Sequence, residues 1–184
     1  MSKTRIRSHW HITLADCTPE KLKKASDLVG AKATQIDLEK PSGTVADMMV
    51  TGYQMGTDPQ NVLRIAEDLK AAGFDPVRVK LEANLSDILI TRTPIDWENQ
   101  YVEVHFHVPE HMRILPNPYL PFVFSSNPTS NGERFANFRA YNYEETAFII
   151  AYTIGFRNVH LELCVFDTKK HHDQDWWDMD GELL

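Results

Sequence analysis

Hydrophobic and polar residues alternate along several short segments of the chain, which is the pattern of strands with one buried face. In the segment 7–14, Trp10, Ile12 and Leu14 alternate with polar residues. Other segments have apolar residues three or four positions apart, as in a helix with one buried face. The first half predicts, in order, strand 7–14, helix 19–29, strands 32–39 and 45–53, helix 59–72 and strand 76–81. This β-α-β-β-α-β order is that of a ferredoxin-like unit.

The predicted helices carry capping signals at their ends. Thr18 followed by Pro19 predicts the start of the first helix, and Gly30 predicts its end. In the second half, Asn142 and Glu145 have the spacing of a capping box that opens a helix to 154. That half also predicts strands over 101–108, 135–141 and 159–166, with extended chain over 122–125.

Three short stretches of the two halves resemble each other in the same order. Residues 9–12 match 105–108, residues 19–23 match 109–113, and residues 73–81 match 155–163. We therefore predict an internal repeat and an α+β fold, in which two tandem ferredoxin-like (βαββαβ) lobes with pseudo-twofold symmetry pack as one domain. The predicted boundaries are 1–184 for the domain, about 5–83 for lobe one, 84–99 for the connection, 100–167 for lobe two and 168–184 for a C-terminal tail.

Histidines mark the first predicted strand of each half. Alternate residues of a strand share a face, so His9 lies on the same face as His11, and His105 on the same face as His107. The opposite, apolar faces have to cover the helices, and this predicts burial of Trp10, Ile12, Leu14, Phe106 and Val108, together with Phe74 and Phe156. The histidines are then left on the open faces of the two sheets, which would form the walls of a cleft.

The strand that ends each half adds further polar side chains to the predicted cleft. Alternation places Arg78, Lys80 and Glu82 on this face in the first half, and His160, Glu162 and Cys164 in the second. Imidazole, carboxylate and cationic groups on one surface indicate acid–base chemistry or the binding of a charged ligand.

The segment His11-Ile12-Thr13-Leu14 resembles the His-x-Thr-hydrophobic motif of the 2H phosphoesterases, which also consist of two pseudo-symmetric lobes. The resemblance covers this four-residue motif and the two-lobe arrangement. It implies binding or hydrolysis of a small phosphorylated or nucleotide-like ligand without a cofactor. His11 with His105 or His107 would be the catalytic acid and base, and Thr13 would bind phosphate. His107 stands where the family has Thr or Ser.

Three further residues are included in this hypothesis because they lie on the same predicted face. Arg78, Lys80 and His160 are candidate ligand-binding residues, since cationic and imidazole groups donate hydrogen bonds to phosphate oxygens.

Two alternatives stay open beside the phosphoesterase hypothesis. In the first, the protein holds a divalent metal ion through strand histidines and a carboxylate, which are common ligands of such ions. The candidate ligands are His9, His11, His105, His107 and Glu162. In the second, the histidines are solvated polar residues of a non-catalytic interaction module. The sequence does not decide whether the protein is an enzyme.

Charge and composition limit the classes of partner and the compartment that we expect. The 184 residues include 26 acidic and 19 basic side chains, for a net charge of −7, which argues against binding to duplex DNA. No apolar run approaches the roughly 20 residues of a membrane span. No export signal is recognised, and two cysteines form no disulfide framework, so we expect a cytoplasmic protein. A homo-oligomer is compatible with the sequence. The segment 165–177 resembles the ends of uncharacterised bacterial and viral proteins.

Overall fold

The computed structural model describes residues 6–40, 43–108, 123–128, 133–156 and 158–169. These residues form more strand than helix. The strands are β1 (Arg7–Leu14), β2 (Lys32–Lys40), β3 (Gly43–Met55), β4 (Pro76–Asn84), β5 (Tyr101–His107), β6 (Val123–Asn127), β7 (Glu133–Ala140) and β8 (His160–Asp167). The helices are α1 (Pro19–Val29), α2 (Gln60–Ala71), α3 (Leu85–Thr91) and α4 (Tyr143–Thr153).

The strands close into one antiparallel barrel in the order β1-β3-β2-β6-β7-β5-β8-β4, with β4 pairing back onto β1. Strands β1 to β4 form one arc and β5 to β8 the other. Two seams join the arcs. At one seam, residues 37–39 of β2 pair with residues 124–126 of β6. At the other, residues 80–84 of β4 pair with the last residues of β8.

The prediction of an α+β fold built from two ferredoxin-like lobes is therefore wrong, and so is the internal repeat of lobes on which it was based. Two separate sheets would leave the outer strands of each half with a free edge. Here the hydrogen bonds of the β2–β6 and β4–β8 seams use those edges, and a single sheet results. The histidine faces consequently line the interior of one barrel instead of a cleft between two lobes.

The capping signals act as predicted. Thr18 Oγ1 accepts a hydrogen bond from the Lys21 amide at 3.3 Å, and Gly30 closes α1 with a φ of 62°. At the start of α4, Asn142 Oδ1 accepts from the Glu145 amide at 2.8 Å. The Glu145 carboxylate in turn accepts from the Tyr141 amide, so the two residues cap the helix reciprocally, with the return bond one residue before the N-cap.

Helix α3 lies within 84–99, the predicted connection between the two lobes. It has only seven residues, too few for a periodic apolar pattern to show. Its N-cap is Asn84, whose side chain accepts from the Ser86 amide at 2.9 Å. Leu85 and Ile88 are buried against the outer face of the second arc, so this short helix covers part of the barrel.

The main apolar core lies between the barrel and the helices outside it. Trp10, Ile12 and Leu14 are buried in a cluster that includes the buried apolar residues of α1 and α2. Phe106 and Val108 are buried in a second cluster, which also contains residues of α3 and α4. The predicted burial of these five residues is confirmed. The prediction was wrong for two others, which pack against the clusters but are only partly buried, Phe74 and Phe156.

A glycine opposite Trp10 fixes the orientation of β1. Gly52 of β3 is the register partner of Trp10, and the indole lies directly over it. A Cβ atom at Gly52 would overlap the six-membered ring of the indole. With Trp10 held on the outer face, His9 and His11 have to point into the barrel.

None of the helices in the described ranges has the length and apolar character that crossing a membrane requires.

Candidate metal site inside the barrel

The barrel interior is lined by charged and polar side chains. They alternate with the outer core along β1, β4, β5, β7 and β8, and an eight-stranded barrel is just wide enough for such side chains to fill its interior. The residues on this face include His9, His11, Thr13, Arg78, Lys80, Glu82, Tyr101, Glu103, His105, Asn137, Arg139, Glu162, Cys164 and Asp167. We call seven of them the interior cluster: His9, His11, Lys80, Glu82, Glu103, His105 and Glu162.

Glu82 connects an imidazole to an ammonium group at the centre of this cluster. His11 Nε2 lies 2.9 Å from Glu82 Oε2, and Lys80 Nζ lies 2.6 Å from Glu82 Oε1. Burial alone would raise the pKa of Glu82, but the Lys80 charge and the hydrogen bond from His11 outweigh it and lower that pKa to about 2. Glu82 is therefore an ionised carboxylate inside the barrel at neutral pH.

Glu103 is surrounded by cations. Lys80 Nζ lies 2.5 Å from its Oε2, Arg139 Nε donates to its Oε1 at 2.7 Å, and His105 Nε2 lies 3.3 Å from Oε2. Burial opposes ionisation of Glu103, yet the charges of Lys80 and Arg139 hold its pKa well below the usual range. The same carboxylates raise the pKa of Lys80 against the effect of its burial. Lys80, Glu82 and Glu103 are thus all charged.

The protonation of His105 follows from its partners. Asn137 donates its amide hydrogens to Val123 O at 2.8 Å and Ser125 Oγ at 2.9 Å, so its Oδ1 faces His105 Nδ1, 2.6 Å away, as an acceptor. His105 Nε2 faces Glu103, and both ring nitrogens are therefore donors. Burial would lower the pKa of His105, but the hydrogen bond to Glu103 and the surrounding carboxylate charges raise it to about 9.

Protonation of His105 predicts that metal-free protein loses stability as the pH rises. The folded-state pKa of about 9 lies above the unfolded value of about 6.5. The stabilisation is fully present below pH 6.5 and is lost as the pH rises through 9, at most about 3 kcal/mol in the free energy of unfolding. The groups that face His105 are Glu103 on its own strand, Asn137 from β7, Glu162 from β8 and Glu82 from β4.

Urea unfolding in EDTA at pH 6 and pH 9 measures this effect, with His105→Gln as the matched variant. The wild type is expected to lose more stability between the two pH values than the variant does. Equal losses in the two proteins would contradict the assignment of a proton to both nitrogens of His105.

Glu162 lies between two histidines near one end of the barrel. His9 Nε2 is 3.3 Å from Glu162 Oε1, and His105 Nε2 is 3.6 Å from Oε2. The exposed fraction of the side chain falls from 35% at His9 and 24% at His11 to 4% at Glu82. The two imidazoles are therefore within reach of solvent, while the carboxylate behind them is buried.

One nitrogen each of His9 and His11 and one oxygen of Glu82 lie within 4.8 Å of one another. Protein ligands of a zinc ion sit about 2 Å from it, which puts them within roughly 4 Å of each other. Small side-chain rotations would bring the three groups to that distance. His11 faces Glu82 through Nε2, while its buried Nδ1 has no hydrogen-bond partner among the described residues.

A second set of three potential ligands consists of Glu82, Glu103 and His105, again with one atom of each within 4.8 Å of the others. The two sets share Glu82. In the second set, however, the Lys80 ammonium already lies between the two carboxylates.

Other residues singled out from the sequence lie away from the interior cluster or are engaged elsewhere. The ring of His107 packs edge-on against Phe135, with 6.0 Å between centroids. His160 pairs with His105 in register, but its side chain is exposed. Thr13 lies opposite Arg78, whose guanidinium binds Asp167 through Nε at 3.1 Å and Nη2 at 2.5 Å.

Glu103, Asn137 and Arg139 belong to the interior but are not among the residues predicted for it. Glu103 stands between Val102 and Val104, two positions from His105, so the alternation that placed the histidines would also have placed this carboxylate. The other two residues become recognisable only from the pairing of β5 with β7, which sets Asn137 beside His105 and Arg139 beside Glu103.

Comparisons with protein-family models, with curated proteins and with solved structures give no match for this chain. The resemblance of His11-Ile12-Thr13-Leu14 to the 2H phosphoesterases accordingly stays a prediction.

Proposed function

We propose that the protein binds a divalent first-row metal ion inside the barrel through His9, His11 and Glu82. The observation that carries the proposal is the convergence of two imidazole nitrogens and one ionised carboxylate from the neighbouring strands β1 and β4. Two histidines and a carboxylate are a common ligand set for zinc and for non-haem iron. Backbone pairing of His9 with Glu82 sets their relative position independently of any ligand.

The charges around the histidines favour a cation over an anion. Each of His9, His11 and His105 faces a carboxylate at 2.9–3.3 Å. Lys80 binds Oε1 of Glu82 and leaves Oε2 directed at His11, so a metal ion can approach that oxygen without displacing the ammonium. A phosphate in the same place would meet ionised carboxylates at short range, and for this reason a metal ion is preferred here to the phosphorylated ligand suggested by the sequence.

Glu162 has a supporting part in this proposal. Its Oε1 lies 3.3 Å from His9 Nε2, and it contacts His105 as well. Carboxylates beside a ligating histidine commonly orient its ring and strengthen its binding. Three protein ligands leave a coordination position for water or a substrate, as in catalytic zinc sites. Water or substrate would enter from the side of the site where His9 is partly exposed.

The test is titration of untagged, metal-free protein with Zn²⁺ by calorimetry and with Co²⁺ by visible absorption. The wild type is expected to bind one ion, and His9→Ala or His11→Ala is expected to weaken binding by about 100-fold or more. His160→Ala is the matched control, because this histidine is exposed and belongs to neither set of potential ligands, and the affinity of this variant should equal that of the wild type.

Absence of binding by the folded wild type, or equal affinities for the wild type and His11→Ala, would overturn the proposal. A parallel thermal-shift series with 2′,3′-cyclic nucleotides on metal-free protein examines the phosphate alternative. A shift that needs no metal and disappears in His11→Ala would replace the metal site with a phosphate site.

A further inference from the structure

The interior cluster contains two overlapping sets of three potential ligands. His9, His11 and Glu82 form the first set, and Glu82, Glu103 and His105 form the second. A carboxylate shared by two sets is the arrangement that bridges two ions about 3.5–4 Å apart in two-metal sites. The ligand groups of the barrel interior would therefore suffice for a pair of ions.

Lys80 occupies the second position. Its Nζ lies 2.6 Å from Glu82 Oε1 and 2.5 Å from Glu103 Oε2, where a cation held by both carboxylates would lie. The side chain is only 13% exposed, so this ammonium is fixed within the barrel. The remaining oxygen of Glu103 accepts from Arg139 Nε at 2.7 Å, which completes the neutralisation of that carboxylate.

We infer that Lys80 serves as a built-in cation in the place of a second metal ion and thereby restricts the barrel to one bound ion. The inference rests on the proposed metal site at His9, His11 and Glu82. An ion in the second position would have to displace the ammonium or lie close beside it, and repulsion between like charges is strong where water is largely excluded. Without Lys80, Glu82 and Glu103 would lose the cation that they share, and Arg139 and His105 would remain beside Glu103. A divalent ion between the two carboxylates would replace the lost charge.

The experiment counts Co²⁺ ions per chain in metal-free wild type and in Lys80→Met, which removes the charge and keeps most of the apolar stem. The wild type is expected to bind one ion and Lys80→Met two. Lys80→Arg keeps a cation in place and is expected to bind one. In Lys80→Met combined with His105→Ala, loss of a ligand of the second set is expected to return the count to one.

The outcomes separate this inference from the proposal beneath it. No ion in the wild type would mean that the proposed metal site is absent. One ion in both the wild type and folded Lys80→Met, or two ions in the wild type, would leave a metal site but overturn the role of Lys80.

The inference can also be tested if a Lys80 variant does not fold in the absence of metal. Lys80→Met and Lys80→Gln are refolded with and without saturating Co²⁺ and followed by circular dichroism. The inference expects the metal ion to supply the missing charge and restore the fold. Variants that stay unfolded with Co²⁺ would overturn it.

Discussion

Replacing Glu103 with Gln is expected to lower the free energy of unfolding by about 3–5 kcal/mol, because the substitution leaves buried cations without their counter-charge. Lys80 and Arg139 each bind one oxygen of this carboxylate at 2.5–2.7 Å, and His105 lies 3.3 Å away. The amide of Gln has nearly the same shape but carries no charge. Urea unfolding at pH 7 in EDTA measures the loss.

Glu39→Gln is the matched control for this measurement. Glu39 accepts two hydrogen bonds from Arg134, each 2.8 Å long, but both side chains are partly exposed at the surface. Exposed pairs of this kind contribute about 1 kcal/mol or less. Equal losses for Glu103→Gln and Glu39→Gln would contradict the conclusion that the barrel interior depends on its buried charges.

Phe106→Ala is expected to cost about 3–5 kcal/mol of stability through the cavity that it leaves in the outer core. The ring is fully buried, with its centroid 4.5 Å from that of Phe156 and 5.8 Å from that of Phe138. Phe148→Ala removes the same atoms from a side chain of α4 that is more than half exposed, and it should change stability by less than about 1 kcal/mol.

Thermal and urea unfolding of the two Phe variants provide the comparison. A loss below about 1 kcal/mol for Phe106→Ala would mean that Phe106 is not part of the core. The assignment of His105 to the interior would then be wrong too, because neighbouring residues of a strand point to opposite faces.

The strands of this protein could be predicted from the sequence, but the way in which they assemble could not. Alternation placed the first strand at 7–14, where the structure has it, and showed that Trp10 faces the helices. Side-chain alternation reports which face of a strand is buried. It carries no information about the strand's neighbours. The backbone groups at the edges of β2 and β4 form the same hydrogen bonds with any strand, whatever its side chains. Closure of the barrel could therefore not be predicted from the alternation.

The candidate site divides in the same way. The pattern predicted that His9, His11 and Glu162 share a polar face, and the structure sets Glu162 beside His9. The approach of Lys80 to Glu103 depends on the pairing of β4 with β8, which the predicted pair of separate sheets did not include. Contacts across a barrel arise from long-range pairing, and local sequence does not encode them.

The close approach of Trp10 to Gly52 has a consequence for how this protein can evolve. No side chain fits at position 52 while the indole lies over it, whereas a small residue at position 10 would remove that restriction. The two positions, 42 residues apart in the chain and register partners in the sheet, are therefore expected to change together. In divergent relatives, a residue larger than Gly at position 52 would accompany the loss of Trp at position 10. Such correlated substitutions would reveal the β1–β3 contact from sequences alone.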